Sequence, residues 1–341
     1  MTILITGASA HSKELIDALR NNYDGEEITI VGINCSDNKL LRTGVDKGYV
    51  VPVITDPSYI DTLIDICLRD EVDVILPFIT KELEILSTNK KRFERIGVKV
   101  SVASLEALAV ANNKLELSKR YGYKYMPIQE VARYKEDVID FAHEIGYPNT
   151  AFCVKLPSGC GGNGFMVVDE EKGLDFAYVN KNGFHRYITL DHLCEMVEKR
   201  DGEVILSEFV EGTDYSVCVL ADNGKVTHIC GYYGYEMDYG SVVNGEISKN
   251  DKAYEIAEQI IADLAFDGNA CFDFIIKPDG TPELLEINPR LNASLPFVAK
   301  AGLNLAYLRC KQLLGTDVTK YNPTIQYGLR MSKYYESEYF V

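Results

Sequence analysis

The stretch CFDFIIKPDGTPELLEINPR, residues 271–290, holds two apolar runs, CFDFIIK and PELLEIN, on either side of Pro278-Asp279-Gly280-Thr281. Asp-Gly between alternating residues is a strong short-range hairpin signal. With Asp279 and Gly280 as a two-residue turn, Pro278 faces Thr281, Lys277 faces Pro282, and counting back sets Asp273 opposite Glu286. Side chains alternate faces along a strand, so Asn288 shares the face of Glu286, with Arg290 next in line if the strand continues. The other face, Phe272, Phe274, Leu285 and Ile287, is apolar enough for a core, and Leu284 falls among the acids.

Like charges opposed across a sheet are destabilising, so a chain that keeps them there has something positive to hold between them. Two carboxylates and an amide oxygen form a set of hard oxygen ligands, and the guanidinium adds one cation; that set suits Mg2+ carrying a nucleotide's phosphates. A solvated hairpin with its polar face outward is the alternative.

Upstream, AFCVKL and GFMVVD read as strands joined by PSGCGGN, and Gly159-Cys160-Gly161-Gly162-Asn163-Gly164 matches G-x-G-x-x-G. A strand follows at Phe165 where the dinucleotide fingerprint needs a helix, and the Gly-Lys-Ser/Thr of a P-loop is missing. What fits is a flap whose Gly161, Gly162 and Gly164 amides close over phosphates. Lys155 on the incoming strand suits an α- or β-phosphate; Lys114 opens a helix in another segment. Each lysine alone also reads as an ordinary surface charge. Cys160 fits as small-residue filling or as a reactive thiol.

Residues 2–110 alternate strand and helix patterns: TILITG, a helix over 12–22, ITIVGIN, VVPVI, a helix carrying Ile60, Leu63, Ile64 and Cys67, VDVILPF, a helix from about Thr80, and VKVSVAS. That is an open, mostly parallel α/β sheet of dinucleotide-fold shape. The Gly7-Ala8-Ser9 loop reads as a tight turn or an anion site at a helix start. Further on come helices over 114–121, 136–145 and 190–199, the strand VILSEFV, a hairpin turning at Asn223-Gly224, a glycine-bearing loop over 235–250, and an amphipathic helix over 251–264.

The chain has 341 residues, enough for two or three domains with a cleft. Its 35 Lys plus Arg against 51 Asp plus Glu give a net charge of −16, without any basic run, which argues against nucleic acid. Nine scattered cysteines without a C-x-x-C pair read as reduced thiols, and the five histidines form no metal spacing. The absence of a leader pattern and of a long apolar run leads to the expectation of a cytoplasmic protein without a membrane segment.

Together these motifs resemble the ATP-grasp superfamily, and within it the stand-alone proteins similar to one half of the carbamoyl phosphate synthase large subunit. The resemblance rests on the order of an α/β domain, a lysine before VKLPSGCGGNG, SEFVEGTDYSV and FDF…LLEINPR. It implies a pre-ATP-grasp domain over 1–110, a small subdomain with the flap over 111–205 and a C-terminal subdomain with the hairpin over 206–341. It further implies that Lys114 and Lys155 contact phosphates, that Glu208, Phe209 and Val210 form the adenine hinge, and that Asp214 takes the ribose hydroxyls. Asp273, Glu286 and Asn288 would hold Mg2+ or Mn2+, and Arg290 would bind the γ-phosphate or an acyl phosphate. The chain departs from the family's usual residues at Asn113-Lys114, at Lys155-Leu156-Pro157, and at Gly231-Tyr232-Tyr233-Gly234-Tyr235, where many relatives carry arginines.

The implied activity is that of an ATP-dependent carboxylate-amine ligase acting on small molecules through an acyl phosphate, with Arg290 and Lys155 as catalytic residues. Phosphorylation of bicarbonate or carbamate, and nucleotide binding without turnover, are the alternatives. The substrate would lie near Asn292–Leu295 and the 232–246 segment, with Tyr232 and Tyr235 as candidate contacts. The reading leaves room for a homodimer.

Overall fold

A computed structural model describes residues 1–157, 164–175, 186–238 and 241–334. Among the described residues the strands form three sheets. The first is parallel, with order β3-β2-β1-β4-β5, from β1 (Thr2–Ile5), β2 (Thr29–Asn34), β3 (Lys47–Val50), β4 (Val74–Leu76) and β5 (Lys99–Val100). Helices α1 (Lys13–Arg20), α2 (Tyr59–Arg69) and α3 (Leu83–Arg95) connect these strands. The third strand is KGYV rather than VVPVI, since Pro52 has no N–H to give a ladder. Gly7 has φ +61°, and a Cβ there would meet the Ile79 side chain at 2.5 Å, so it makes the tight turn.

Helices α4 (Leu105–Ala111) and α5 (Lys114–Tyr125) lead into an antiparallel-rich sheet of order β6-β10-β7-β8-β9: β6 (Gln129–Ala132), β7 (Phe152–Lys155), β8 (Met166–Val168), β9 (Arg186–Ile188) and β10 (Val204–Glu208). It packs on α6 (Lys135–Glu144), which lies between β6 and β7, and α8 (Leu190–Lys199), which lies between β9 and β10; the short α7 (Glu170–Leu174) follows β8, and the sheet has its own core built on Phe141, Phe152 and Leu206.

The third sheet, β15-β14-β11-β12-β13-β16, comprises β11 (Thr213–Asp222), β12 (Lys225–Asp238), β13 (Ser241–Ile247), β14 (Gly268–Ile276), β15 (Pro282–Asn288) and β16 (Arg330–Ser332). The expected 235–250 loop is therefore largely strand. Helix α9 (Asp251–Asp263) covers one face; α10 (Leu295–Lys300) and α11 (Leu305–Leu313) pack on the other. One apolar core runs from Leu4 and Ile75 of the first sheet through Leu108 and Leu117 to Phe272 and Leu284 of the hairpin. The back of the hairpin is thereby anchored to the N-terminal domain. The described cysteines are free thiols, and no described helix is long and apolar enough to cross a membrane.

Candidate active site

The β14–β15 hairpin sets Asp273 opposite Glu286, as its sequence requires, by a different route. Lys277 N donates to Thr281 O at 2.9 Å and Gly280 N to Lys277 O at 2.8 Å, with Gly280 at φ +82°. This is the three-residue loop of a type I turn closed by a left-handed glycine. The ladder consequently starts one residue out of the expected register, Ile276 against Pro282, and a bulge between Phe274 and Asp273 restores it. The bulge also exchanges the leucines: Leu284 is fully buried in the core and Leu285 is half-buried, the reverse of the sequence expectation.

On the acidic face, Asp273 Oδ1 accepts from Ser216 Oγ at 2.7 Å, and Oδ2 accepts from Asn288 Nδ2 at 2.8 Å. Asn288 Nδ2 also donates to Glu286 Oε1 at 3.2 Å, so one amide bridges the two carboxylates. Lys114 Nζ lies 2.5 Å from Glu286 Oε2. Lys114 is held there because the Asn113 side chain caps α5, accepting from the backbone N–H groups of Leu115 and Glu116. Asparagine is as good a cap as the aspartate usual in relatives, so this departure leaves the lysine in place.

The two acids are pushed apart electrostatically. Burial and the neighbouring Glu286 charge push Asp273 up to about 7, against the opposing bonds from Ser216 and Asn288. Burial also acts to raise Glu286, but the charge and hydrogen bond of Lys114, the Asn288 bond and the charge of Lys155 outweigh it and hold Glu286 below its ordinary value. Lys155 closes β7 opposite Ile205 of β10, so two lysines from separate segments act on one carboxylate.

Glu208 ends β10, where its N–H donates to Ile128 O at 2.9 Å; the Phe209 N–H donates to Ala151 O at 3.1 Å. Glu208, Phe209 and Val210 thus form a half-buried crossing between the second and third sheets. Asp214 is exposed on β11, two residues before Ser216 and on the same face. Gly164 has φ +79°, and a Cβ there would meet the Leu156 side chain at 2.5 Å. Gly161, Gly162 and Cys160 lie outside the described residues.

Arg290 Nε donates to Thr80 Oγ1 at 2.8 Å and Nη1 to Leu291 O at 2.9 Å. Thr80 belongs to a short 3-10 turn before α3, so the N-terminal domain reaches the end of the hairpin. Neither Thr80 nor Ser216 stood out in the sequence. Ser216 could have been found from its two-residue spacing to Asp214; Thr80 carried no such signal. Tyr232, in contrast, is 1% exposed and packs edge-on against Phe297, which removes it as a substrate contact. Ser294 is also buried, accepting from Val242 N, whereas Tyr235 is exposed.

Two carboxylates and an amide on one face of the hairpin, with Lys114 paired to Glu286, the charge of Lys155 acting on the same carboxylate and Arg290 two residues beyond Asn288, suit a hard divalent cation and a chain of phosphates. Among the described residues no cluster of three or more His, Cys, Asp or Glu side chains has a metal-holding arrangement. A cation here would complete its shell with water and phosphate oxygens, as Mg2+ commonly does.

A family model described as "PylC-like, N-terminal domain" matches residues 3–101, and one described as "ATP-grasp in the biosynthetic pathway with Ter operon" matches residues 200–336. With the fold and the order of its parts, these matches define the class: residues 200–336 match an ATP-grasp domain, preceded by a PylC-like N-terminal domain. Within that class, the chain resembles part of the carbamoyl phosphate synthase large subunit. The arginine-specific large chain of Bacillus subtilis is 21% identical over 296 residues, covering 82% of this chain and 26% of that one. The chain spans about a quarter of the length of such curated relatives. Among solved structures, the biotin carboxylase domain dimer of Hydrogenobacter thermophilus 2-oxoglutarate carboxylase, in complex with MgADP, ADP and bicarbonate, superposes with TM-score 0.66 at 17% identity, over 92% of this chain and 70% of that one. The L-amino acid ligase of Bacillus licheniformis gives TM-score 0.61 at 15% identity, over 94% and 76%. These two share the fold.

Proposed function

We propose that this chain is an ATP-dependent carboxylate-amine ligase, with residues 1–110, 111–205 and 206–341 as its pre-ATP-grasp domain, small subdomain and C-terminal subdomain. The observation that carries the reading is the ion pair of Lys114 with Glu286 directly opposite Asp273, in a chain with this fold. Asp273, Glu286 and Asn288 are the residues that would hold Mg2+, or Mn2+ in its place, and that cation would offset charge on the ATP phosphates. Lys114 and Lys155 bind the α- and β-phosphates, the Glu208–Val210 crossing receives the adenine, and Asp214 takes the ribose hydroxyls. Arg290, aimed by Thr80, neutralises the transferring phosphoryl group.

A substrate carboxylate oxygen attacks the γ-phosphorus, the bond to the ADP oxygen breaks, and an acyl phosphate forms. An amine nitrogen then attacks the acyl carbon; phosphate leaves and the nitrogen loses a proton. The chain supplies alignment and charge, without a side-chain nucleophile. Closure of the glycine flap over the phosphates would exclude water that otherwise hydrolyses the acyl phosphate.

The similarity to carbamoyl phosphate synthase supports a second reading, with bicarbonate or carbamate as the acid. ADP release with Mg-ATP against a panel of carboxylic acids and amines, alone and in pairs, separates the two. Turnover that needs a particular acid and amine and is lost in Glu286→Gln supports the ligase. Turnover with bicarbonate alone supports the second reading, and ATP binding without ADP formation under any condition refutes both.

A further inference from the structure

We propose that Lys114 and Asn288 hold the acid pair as an internal stand-in for the cation, so that the site rejects a bare divalent ion and accepts it only with a phosphate chain. This rests on the metal and nucleotide reading given above and deepens it.

The hydrogen bonds carry the argument. Among the described residues, the contacts that Lys114, Asn288 and Ser216 make to the acids on this face are all donors pointing inward. Lys114 Nζ sits 2.5 Å from Glu286 Oε2, and the Asn288 amide gives its Nδ2, not its oxygen, to both Glu286 Oε1 and Asp273 Oδ2. The Ser216 hydroxyl fills Asp273 Oδ1. A divalent ion needs oxygens in these positions. For the residues to serve as ligands, Lys114 must release Glu286 and the Asn288 amide must turn over to present Oδ1.

A bare cation thus competes with an ammonium already in place, and the displaced ammonium loses a charge-assisted hydrogen bond. A nucleotide changes the balance. Its phosphates give the Lys114 ammonium a new anionic partner and bring extra oxygens for the ion. Ion and nucleotide therefore bind with positive coupling, and the coupling is reciprocal. Lys155 supplies the contrast: its charge is felt by Glu286, yet it is Lys114 that forms the ion pair.

The test counts free Mn2+ by electron paramagnetic resonance over the full-length protein without nucleotide, and measures ATP affinity in EDTA by calorimetry. The expected result is weak Mn2+ binding by the wild type and a gain of about tenfold or more in Lys114→Met. Lys114→Arg should remain close to wild type. Lys155→Met should gain clearly less than Lys114→Met, because it removes field but no contact. ATP affinity without metal should move the opposite way, falling in Lys114→Met. Lys114→Gln gives the same comparison if the methionine variant does not fold. Equal Mn2+ affinity in wild type and Lys114→Met, or equal gains from the two lysine substitutions, would overturn the stand-in and leave the metal reading intact. If Mn2+ fails to bind any variant even with ATP present, the metal reading and the stand-in fall together.

Discussion

Arg290 and Thr80 are 210 residues apart in sequence and joined by a 2.8 Å hydrogen bond from the guanidinium Nε to the threonine hydroxyl. The N-terminal domain thereby fixes the direction of a side chain on the C-terminal hairpin. Thr80→Val keeps the shape and deletes the acceptor. A hydrogen bond to a charged group is worth roughly 1.5–3 kcal/mol. The expected outcome is a fall in kcat of about tenfold or more with the KM for ATP little changed, and recovery in Thr80→Ser; steady-state ADP release measures it. Equal loss in the serine variant would show that packing, not aim, is at stake.

The opposed carboxylates should trade stability against activity. In Asp273→Asn the buried like-charge contact with Glu286 disappears, so the metal-free protein should melt at a higher temperature. ADP release should drop by about a hundredfold or more, since a group that organises the transferring phosphate is lost. A lower melting temperature would contradict the strain assigned to this pair.

A pH dependence follows from the raised Asp273. Its carboxyl titrates near 3.8 when unfolded and at about 7 in the fold, so between those values the folded state binds more protons. Its contribution to stability is full at acidic pH and is lost as pH rises through about 7. The lowered Glu286 acts in the opposite sense, and only toward its own acidic range. Thermal melts without metal should show a contribution to stability that declines from pH 5 to pH 8 and is absent in Asp273→Asn. Mg2+ with ATP should stabilise more at pH 8 than at pH 5.5.

Arg309 is 1% exposed and pairs with Asp267 at 2.7 and 3.1 Å while its Nε reaches Ser101 of the N-terminal domain. Asp267→Ala would strand a buried guanidinium, at a cost of about 3 kcal/mol. Arg309→Met removes the charge with the side chain and should cost less. Urea unfolding of the two variants compares them directly; the reverse order would refute the assignment.

The acid pair was legible because a hairpin is local: Asp-Gly and alternating apolar residues report on neighbours a few positions away. What the pattern could not report was the parity of the turn. Pro278-Asp279-Gly280 forms a three-residue loop, and the bulge at Leu285 cancels the slip, so the expected facing of Asp273 and Glu286 was reached through two compensating departures. Strand SVVNGEI was hidden by its glycine and asparagine and exists through pairing with β12 and β16. Thr80 and the burial of Tyr232 come from packing between distant segments, which no local spacing encodes. The order of the motifs, by contrast, carried the fold class, a parallel α/β sheet followed by an ATP-grasp domain.

The locality of that hairpin also sets an order of assembly. Asp273 and Glu286 meet after closure of a short loop, whereas Lys114 and Thr80 reach the same place only when distant parts of the chain have docked, at a greater entropic cost of closure. During folding the acids face each other before their cations arrive. The site therefore gains its cationic partner only after segments far apart in sequence have docked.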